Sequence, residues 1–287
     1  ELADTPVNNP QPADAPSTCP DDSSKRVLLD SESGDPTSTF TAGATWSRDG
    51  VPGWGQVAHT KPDAWSSSNP ASAGTSSLVA TAGIGLPAGQ PSFLFFQHWR
   101  LLDSEATFRD AGTVEVDDTG DVAGPVDVAA LTWINGPAQT INSVSNPAQG
   151  RLGFAGDSRG YLASRLDLSS FAGSTVKPQF TMNTNSSGSY LGWWVDEIEV
   201  YTCDPLVENV TVPGVTGTAR VGSTLTATPG TWSPDGVTLT HQWFRGDAAI
   251  PGATSATYQA RAADLGATLK VRVAGARAHV DPGAAFS

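Results

Sequence analysis

The sequence predicts an all-β protein made of two sandwich-like units, on three observations. Short apolar runs recur along the chain, Gly (30) and Pro (21) punctuate them, and no long amphipathic helical pattern is found. Only 16% of residues are charged, a composition that suits many short strands joined by turns better than long helices.

Residues 1–20 (ELADTPVNNPQPADAPSTCP) mix Pro, Ala, Asp, Asn and Thr without a hydrophobic period and read as a linker. Strand-like runs then fall at Val27 to Leu29, Ser77 to Ala80, Phe93 to Phe96, Thr113 to Val116, Ala130 to Trp133, Leu162 to Leu168, Val176 to Met182 and Trp193 to Tyr201. Gly, Pro, Asn, Asp or Ser separates each from the next, as turns require. Asp117-Asp118-Thr119-Gly120 reads as a hairpin turn, because Asp and Gly fit its dihedrals. In the last run, two-residue alternation assigns Trp194, Asp196, Ile198 and Val200 to one packed face and Trp193, Val195, Glu197, Glu199 and Tyr201 to the other. Asp204-Pro205 is a break, so the first domain spans 21–204 and the second 205–287. The second carries runs at Thr231-Trp232, Leu239 to Trp243, Thr257-Tyr258 and Leu269 to Val273, a spacing of sandwich type. Ala260 to Asp264 is its one stretch suited to a helical turn.

Formal net charge is −13 with a pI near 4.5, so the molecular field repels phosphate backbones and anionic surfaces, and nucleic acid is not an expected partner. No apolar run approaches the length of about 20 residues that spans a bilayer. The acidity has two readings, solubility of a secreted protein and carboxylates that bind calcium. Cys19 and Cys203 stand at the two ends of the first domain, outside any CxxC spacing. A disulfide between them implies an oxidising, extracytoplasmic compartment, secreted or at the cell surface; the alternative is a pair of unrelated reduced thiols.

Seven motifs occur in order over most of residues 28–203: Leu29-Asp30-Ser31-Glu32-Ser33-Gly34; Ser77-Leu78 with Leu86-Pro87-Ala88-Gly89; Phe95-Phe96-Gln97-His98-Trp99; Asp110 to Val116; Phe154 to Ser158; Leu166 to Ser169; and Gly192 to Val200. In this series the first domain resembles the MAM-like jelly-roll modules of secreted bacterial metallopeptidases of the immune inhibitor A type. Gly217 to Val273 resembles the immunoglobulin-like repeats of exported actinobacterial proteins. The resemblance implies a jelly-roll β-sandwich followed by a smaller immunoglobulin-like β-sandwich, with Trp243 as the core tryptophan of the second. It also implies a structural calcium between the first and last strands, with Glu32 and Asp196 as its best ligands and Asp103 and Asp110 as weaker ones. A carboxylate on an apolar strand face is costly unless paired, which singles out Asp196 independently. The other reading of Asp196 is a buried carboxylate satisfied by backbone N–H groups or by Arg.

No motif calls for catalysis. Gly156-Asp157-Ser158 resembles a serine nucleophile context, but Arg159 follows where a glycine belongs. His98, beside Trp99 in an apolar strand, has no partner at metal spacing and reads as a packed, hydrogen-bonded histidine. Trp46, Trp54, Trp65 and Trp133 fall in loop-rich stretches, where planar rings either stack on a sugar or protein ligand or close the ends of the sandwich. The expected function is a non-catalytic accessory region of a secreted multidomain protein. It would dock a hydrolase tethered upstream to a polysaccharide or an extracellular protein. The alternatives are a structural or adhesive cell-surface stalk and, last, a hydrolase.

Overall fold

The computed structural model describes residues 13–21, 23–32, 39–48, 59, 64–102, 108–187, 190–278 and 280–287. Nearly all regular structure in it is antiparallel β-sheet, in two compact units. One holds Val27–Thr202 with residues 13–18; the other holds Cys19–Arg26 and Cys203–Ser287.

The first sixteen strands are β1 (Ser23–Asp30), β2 (Phe40–Ala42), β3 (Trp46–Ser47), β4 (Trp65–Ser67), β5 (Gly74–Ala80), β6 (Ile84–Gly85), β7 (Ser92–Leu102), β8 (Ala111–Asp118), β9 (Val126–Asp127), β10 (Trp133–Ile134), β11 (Gln139–Thr140), β12 (Leu152–Gly153), β13 (Gly156–Asp157), β14 (Leu162–Asp167), β15 (Thr175–Thr184) and β16 (Gly192–Pro205). One large sheet runs β10-β14-β7-β16-β4-β3, with β1 also on β16 and β13 on β7. The other runs β2-β5-β15-β8-β9, with β6 on β15. Their facing sides meet in a core of Leu94, Phe96, Trp193, Val195 and Val200 from the first sheet and Leu78, Val114, Val116, Phe180 and Met182 from the second. The expected hairpin turn is present: β8 ends at Asp118, whose Oδ1 accepts the Gly120 N–H at 3.0 Å.

Trp193 is the centre of this core and is 0% exposed. Its ring stacks on Phe154 (5.7 Å, 26°) and meets Trp46 and Phe180 at 5.8 and 5.9 Å. Gly112 makes room for the ring, and Gly192 lets β16 close on the β4 backbone beside it. A Cβ on Gly112 would stand 2.3 Å from the Trp193 ring, and one on Gly192, which has φ +121°, would stand 2.0 Å from Ser67 O. Both glycines belong to motifs read in the sequence, and close approach is the physical reason they are there.

The second unit contains β17 (Glu208–Thr211), β18 (Gly214–Thr216), β19 (Thr224–Thr228), β20 (Thr231–Ser233), β21 (Thr238–Arg245), β22 (Ala248–Ala249), β23 (Thr257–Gln259), β24 (Leu269–Arg277) and β25 (Val280–Phe286). They form sheets β17-β20, β18-β19-β23 and β22-β21-β24-β25. Trp243 lies fully buried among Leu225, Ile250, Tyr258, Val271 and Val273. It stacks on Tyr258 at 5.5 Å and donates its indole N–H to Ser255 O. A single 3-10 turn, Ala262–Asp264, falls within the stretch expected to be helical. Cys19 and Cys203 are disulfide-bonded with a Cα separation of 5.6 Å, and Arg26 pairs with Asp204 nearby. Among the described residues no helix is long and apolar enough to cross a membrane.

Candidate functional site: an aromatic and acidic row on β16

The expected face assignment of β16 holds for Ile198 and Val200 but is wrong over the first half of the strand, and the error locates the site. Trp193 and Val195 point into the core, but so do Ile198 and Val200. The register against β7 shifts between Asp196 and Glu199, where Glu197 adopts φ 47°. This is a β-bulge: one extra residue reverses the alternation after it. Trp194 and Asp196 therefore share the outer face with Glu199 and Tyr201 instead of joining Ile198 and Val200.

Strand register builds a row across that outer face. Ser47 lies opposite Ser66, Ser66 opposite Trp194, and Trp194 opposite Trp99. Tyr161 precedes Leu162, the partner of His98, so it continues the row beyond Trp99. The Trp99 and Trp194 rings are 5.3 Å apart, Trp99 and Tyr161 6.4 Å, and His59 meets Tyr161 at 5.3 Å. Trp194 is 2% exposed, whereas Trp99 and Tyr161 keep partly open surfaces.

The polar atoms here are unusual for a sandwich. Nε1 of Trp99 and of Trp194 are both buried with no hydrogen-bond partner among the described residues. The Tyr161 hydroxyl is enclosed as well and lies near the His59 main chain without closing a hydrogen bond to it. A buried donor left without an acceptor costs about 1–3 kcal/mol, and native structures contain few of them. Burial, with Asp196 and Glu197 beside it, holds the Tyr161 phenol well above its ordinary range, so it remains a donor. Glu197 Oε1 accepts from His59 Nδ1 at 2.9 Å.

Acidic groups flank the row. Ser31 ties the end of β1 to β16: its N–H donates to Ile198 O, its Oγ accepts the Ile198 N–H, and the same hydroxyl donates to Glu32. Glu32 and Asp196 are thus brought together, and burial first, then the Asp196 charge, raises the Glu32 carboxyl above the usual range. Asp196 is 1% exposed and accepts the Glu197 N–H at Oδ1. Arg48 Nη2 lies 3.7 Å from Glu32.

Of the other expected calcium ligands, Asp103 lies outside the described residues. Asp110 belongs to a different group, where it accepts from Asn69 Nδ2 at 3.2 Å and from the Asn185 N–H at 2.6 Å. Among the described residues no set of three or more His, Cys, Asp or Glu is arranged to hold a metal ion.

Two of the tryptophans expected as ligand platforms are core residues instead. Trp46 and Trp65 are 5% and 4% exposed and belong to the core. Trp46 donates to Ser76 O, and Trp65 packs edge-on against Phe40 under the Arg48 guanidinium. Trp133 packs edge-on against Phe96 and Phe154 and donates to Val128 O. Trp54 lies outside the described residues. The sequence reading missed Trp99 and Tyr161 as surface groups, although alternation along Phe95 to Trp99 opposes Trp99 to His98.

His98 is packed and hydrogen-bonded, as read from the sequence. Burial lowers its pKa well below the ordinary value, so the ring is neutral. Its Nδ1 accepts the Trp193 indole N–H at 3.2 Å and its Nε2 meets Ser164 Oγ at 3.0 Å. Ser158 Oγ accepts the Arg100 N–H and donates to Gly160 O, contacts of a turn.

No known family profile matches the chain, and no curated protein matches it. Among solved structures, the glycoside hydrolase domain of Endo-D from Streptococcus pneumoniae is similar to 86% of this chain and 36% of that one, at 11% identity and a TM-score of 0.28. The chain thus spans about a third of that structure's length.

Proposed function

We propose that this chain is a non-catalytic binding region of a secreted multidomain protein, in which the first unit is a MAM-like jelly roll that docks a hydrolase to its substrate. One observation carries the reading: the partly open rings of Trp99 and Tyr161 stand in one row, which also holds two indole N–H donors that lack an acceptor among the described residues and is flanked by the Asp196 carboxylate. A hydroxyl-rich ligand answers both halves of that chemistry. Sugar hydroxyls accept from the indole and phenol donors, donate to carboxylates, and their ring faces pack on aromatic surfaces. An anionic ligand would meet Asp196, Glu197 and Glu32, and an amine would leave the N–H groups unanswered. Polysaccharide is therefore favoured over protein as the docked substrate.

The acidic composition and the Cys19–Cys203 disulfide support an extracytoplasmic location. A structural calcium belongs to the same reading, held by Glu32 and Asp196, whose like charges a cation would relieve; Arg48 is the competing counter-charge.

The test is a neutral-glycan array probed with the whole chain and with Trp99→Ala and Tyr161→Phe. The expected result is binding to neutral glycans that each variant weakens by roughly tenfold, the loss of one hydrogen bond or stacking contact in a desolvated site. Binding that both variants leave unchanged, or no binding to any glycan, removes the reading. The second reading, an adhesive or structural stalk, is favoured by the low exposure of Trp194 and gains from that latter outcome.

A further inference from the structure

The second unit has a site of its own, independent of the row on β16. An open pocket of about 410 Å³ lies between the loop that joins β18 to β19 and the segment that leads from β23 through the 3-10 turn to β24. Its volume is in the range of roughly 300–1,000 Å³ typical of ligand sites. Val215, Leu225, Leu265 and Leu269 give it an aliphatic lining, and Arg220 and Arg261 supply the charge. Leu265 is 74% exposed, an apolar side chain left at the mouth.

The walls are built before any ligand arrives. Gly222 N donates to Ala260 O at 2.8 Å and Ala260 N to Ser223 O at 2.9 Å, which closes one loop onto the other. Asp264, buried at the base of the turn, accepts from Arg245 Nε at 2.7 Å, from the Tyr258 hydroxyl at 2.9 Å and from the Arg261 main-chain N–H at 2.7 Å. Its charge is met by Arg245. Arg220 and Arg261 are both exposed, and neither guanidinium is in an ion pair among the described residues. Two such arginines over an aliphatic floor, in a chain of net charge −13, form a local positive site with a defined complement. A preformed site also avoids the cost of ordering loops on binding.

We propose that this pocket docks an extended peptide that presents an aliphatic side chain next to a carboxylate. The aliphatic group fills the floor between Leu225 and Leu269, and the carboxylate bridges Arg220 and Arg261, arginine being suited to forked contacts with carboxylate oxygens. No aromatic ring lines the pocket, so a sugar has no stacking surface there, and the apolar floor does not suit a bare phosphate.

Titration of the whole chain with the blocked peptide acetyl-Gly-Leu-Asp-Gly-amide, followed by methyl NMR, tests this. Expected are shifts confined to Leu225, Leu265 and Leu269, with affinity falling roughly tenfold when the peptide's Asp is replaced by Asn or its Leu by Gly. Arg220→Gln and Arg261→Gln should each weaken binding at unchanged thermal stability, since both side chains are exposed, and added salt should weaken it further. Equal affinity for the Asn peptide overturns the proposal, as does the absence of shifts. Equal shifts with hexanoate also overturn it, because the pocket would then take a free aliphatic acid and no peptide.

Discussion

Trp193 and Trp194 are neighbours in the chain and opposites in environment. The Trp193 ring is enclosed by Trp46, Phe154, Phe180 and His98, and its N–H has an acceptor on His98 Nδ1. Trp194 is nearly as buried, yet among the described residues Trp99 is the aromatic its ring meets and its N–H has no acceptor. The inner face gives the Trp193 indole an acceptor, though Trp65 in the same core has none; the outer face leaves the Trp194 and Trp99 donors over. A core residue optimised for stability looks like the first. A residue kept at some cost in stability, on a face with carboxylates beside it, looks like a place where something else supplies the acceptor.

The comparison can be broken, and the largest effect comes first. Trp193→Ala should cost about 3–5 kcal/mol, the range for deleting a large buried aromatic; a loss below about 1 kcal/mol in urea unfolding would deny Trp193 its central role. His98→Leu keeps an apolar group in the core but strips Trp193 of its acceptor, and about 1–3 kcal/mol should be lost, making the inner indole resemble the outer one. Trp194→Phe should behave oppositely. It deletes an unsatisfied donor, so stability is expected to hold or to rise by up to about 1 kcal/mol while glycan binding falls. If Trp194→Phe destabilises as strongly as His98→Leu, the two faces do not differ in the way described.

The smallest effect concerns the carboxylates. Because burial and Asp196 raise the folded-state pKa of Glu32, its ionisation opposes folding. That penalty is present once pH exceeds the raised value and disappears as pH falls below the ordinary carboxylate range, about pH 4. Glu32→Gln should therefore melt higher than the parent at neutral pH in chelator, with the difference closing on acidification. If calcium occupies the pair in solution, the sign at neutral pH reverses without chelator, because the substitution then removes a ligand.

Much of the fold is legible in the sequence for local reasons. The runs at Phe93 to Phe96, Thr113 to Val116 and Val176 to Met182 all lie in strands, and Asp118 and Gly120 make the expected turn because their chemistry is local. Ala130 to Trp133 is mostly not strand; only Trp133–Ile134 pairs, since a short edge strand depends on what β14 offers. The final strand, Val280–Phe286, is not legible in the sequence because Pro282 and Gly283 break any alternating pattern, and pairing with β24 defines it.

The candidate site was less legible. Glu32 and Asp196 stand out in the sequence and converge in the fold; Asp110 stands out with them and bonds elsewhere. The setting of the loop tryptophans between turns predicts open rings, but exposure is not a property of a loop sequence. Trp46 and Trp65 sit on short strands whose inner side is roofed by the opposite sheet.

What the amino-acid sequence determined by itself is the alternation of strand and turn, the all-β class and two cysteines set far apart. These follow from side-chain periodicity and backbone preferences within a few residues. What only the tertiary structure decided is which side of each strand is inside. A single bulge at Glu197 reverses β16, parts Asp196 from Ile198, and turns Trp194 outward beside Trp99. Nothing in the local sequence encodes that reversal, because a bulge is selected by its fit to the neighbouring strands: here β7 must keep Leu94 opposite Val200 and His98 opposite Val195, and the chain between absorbs the extra residue.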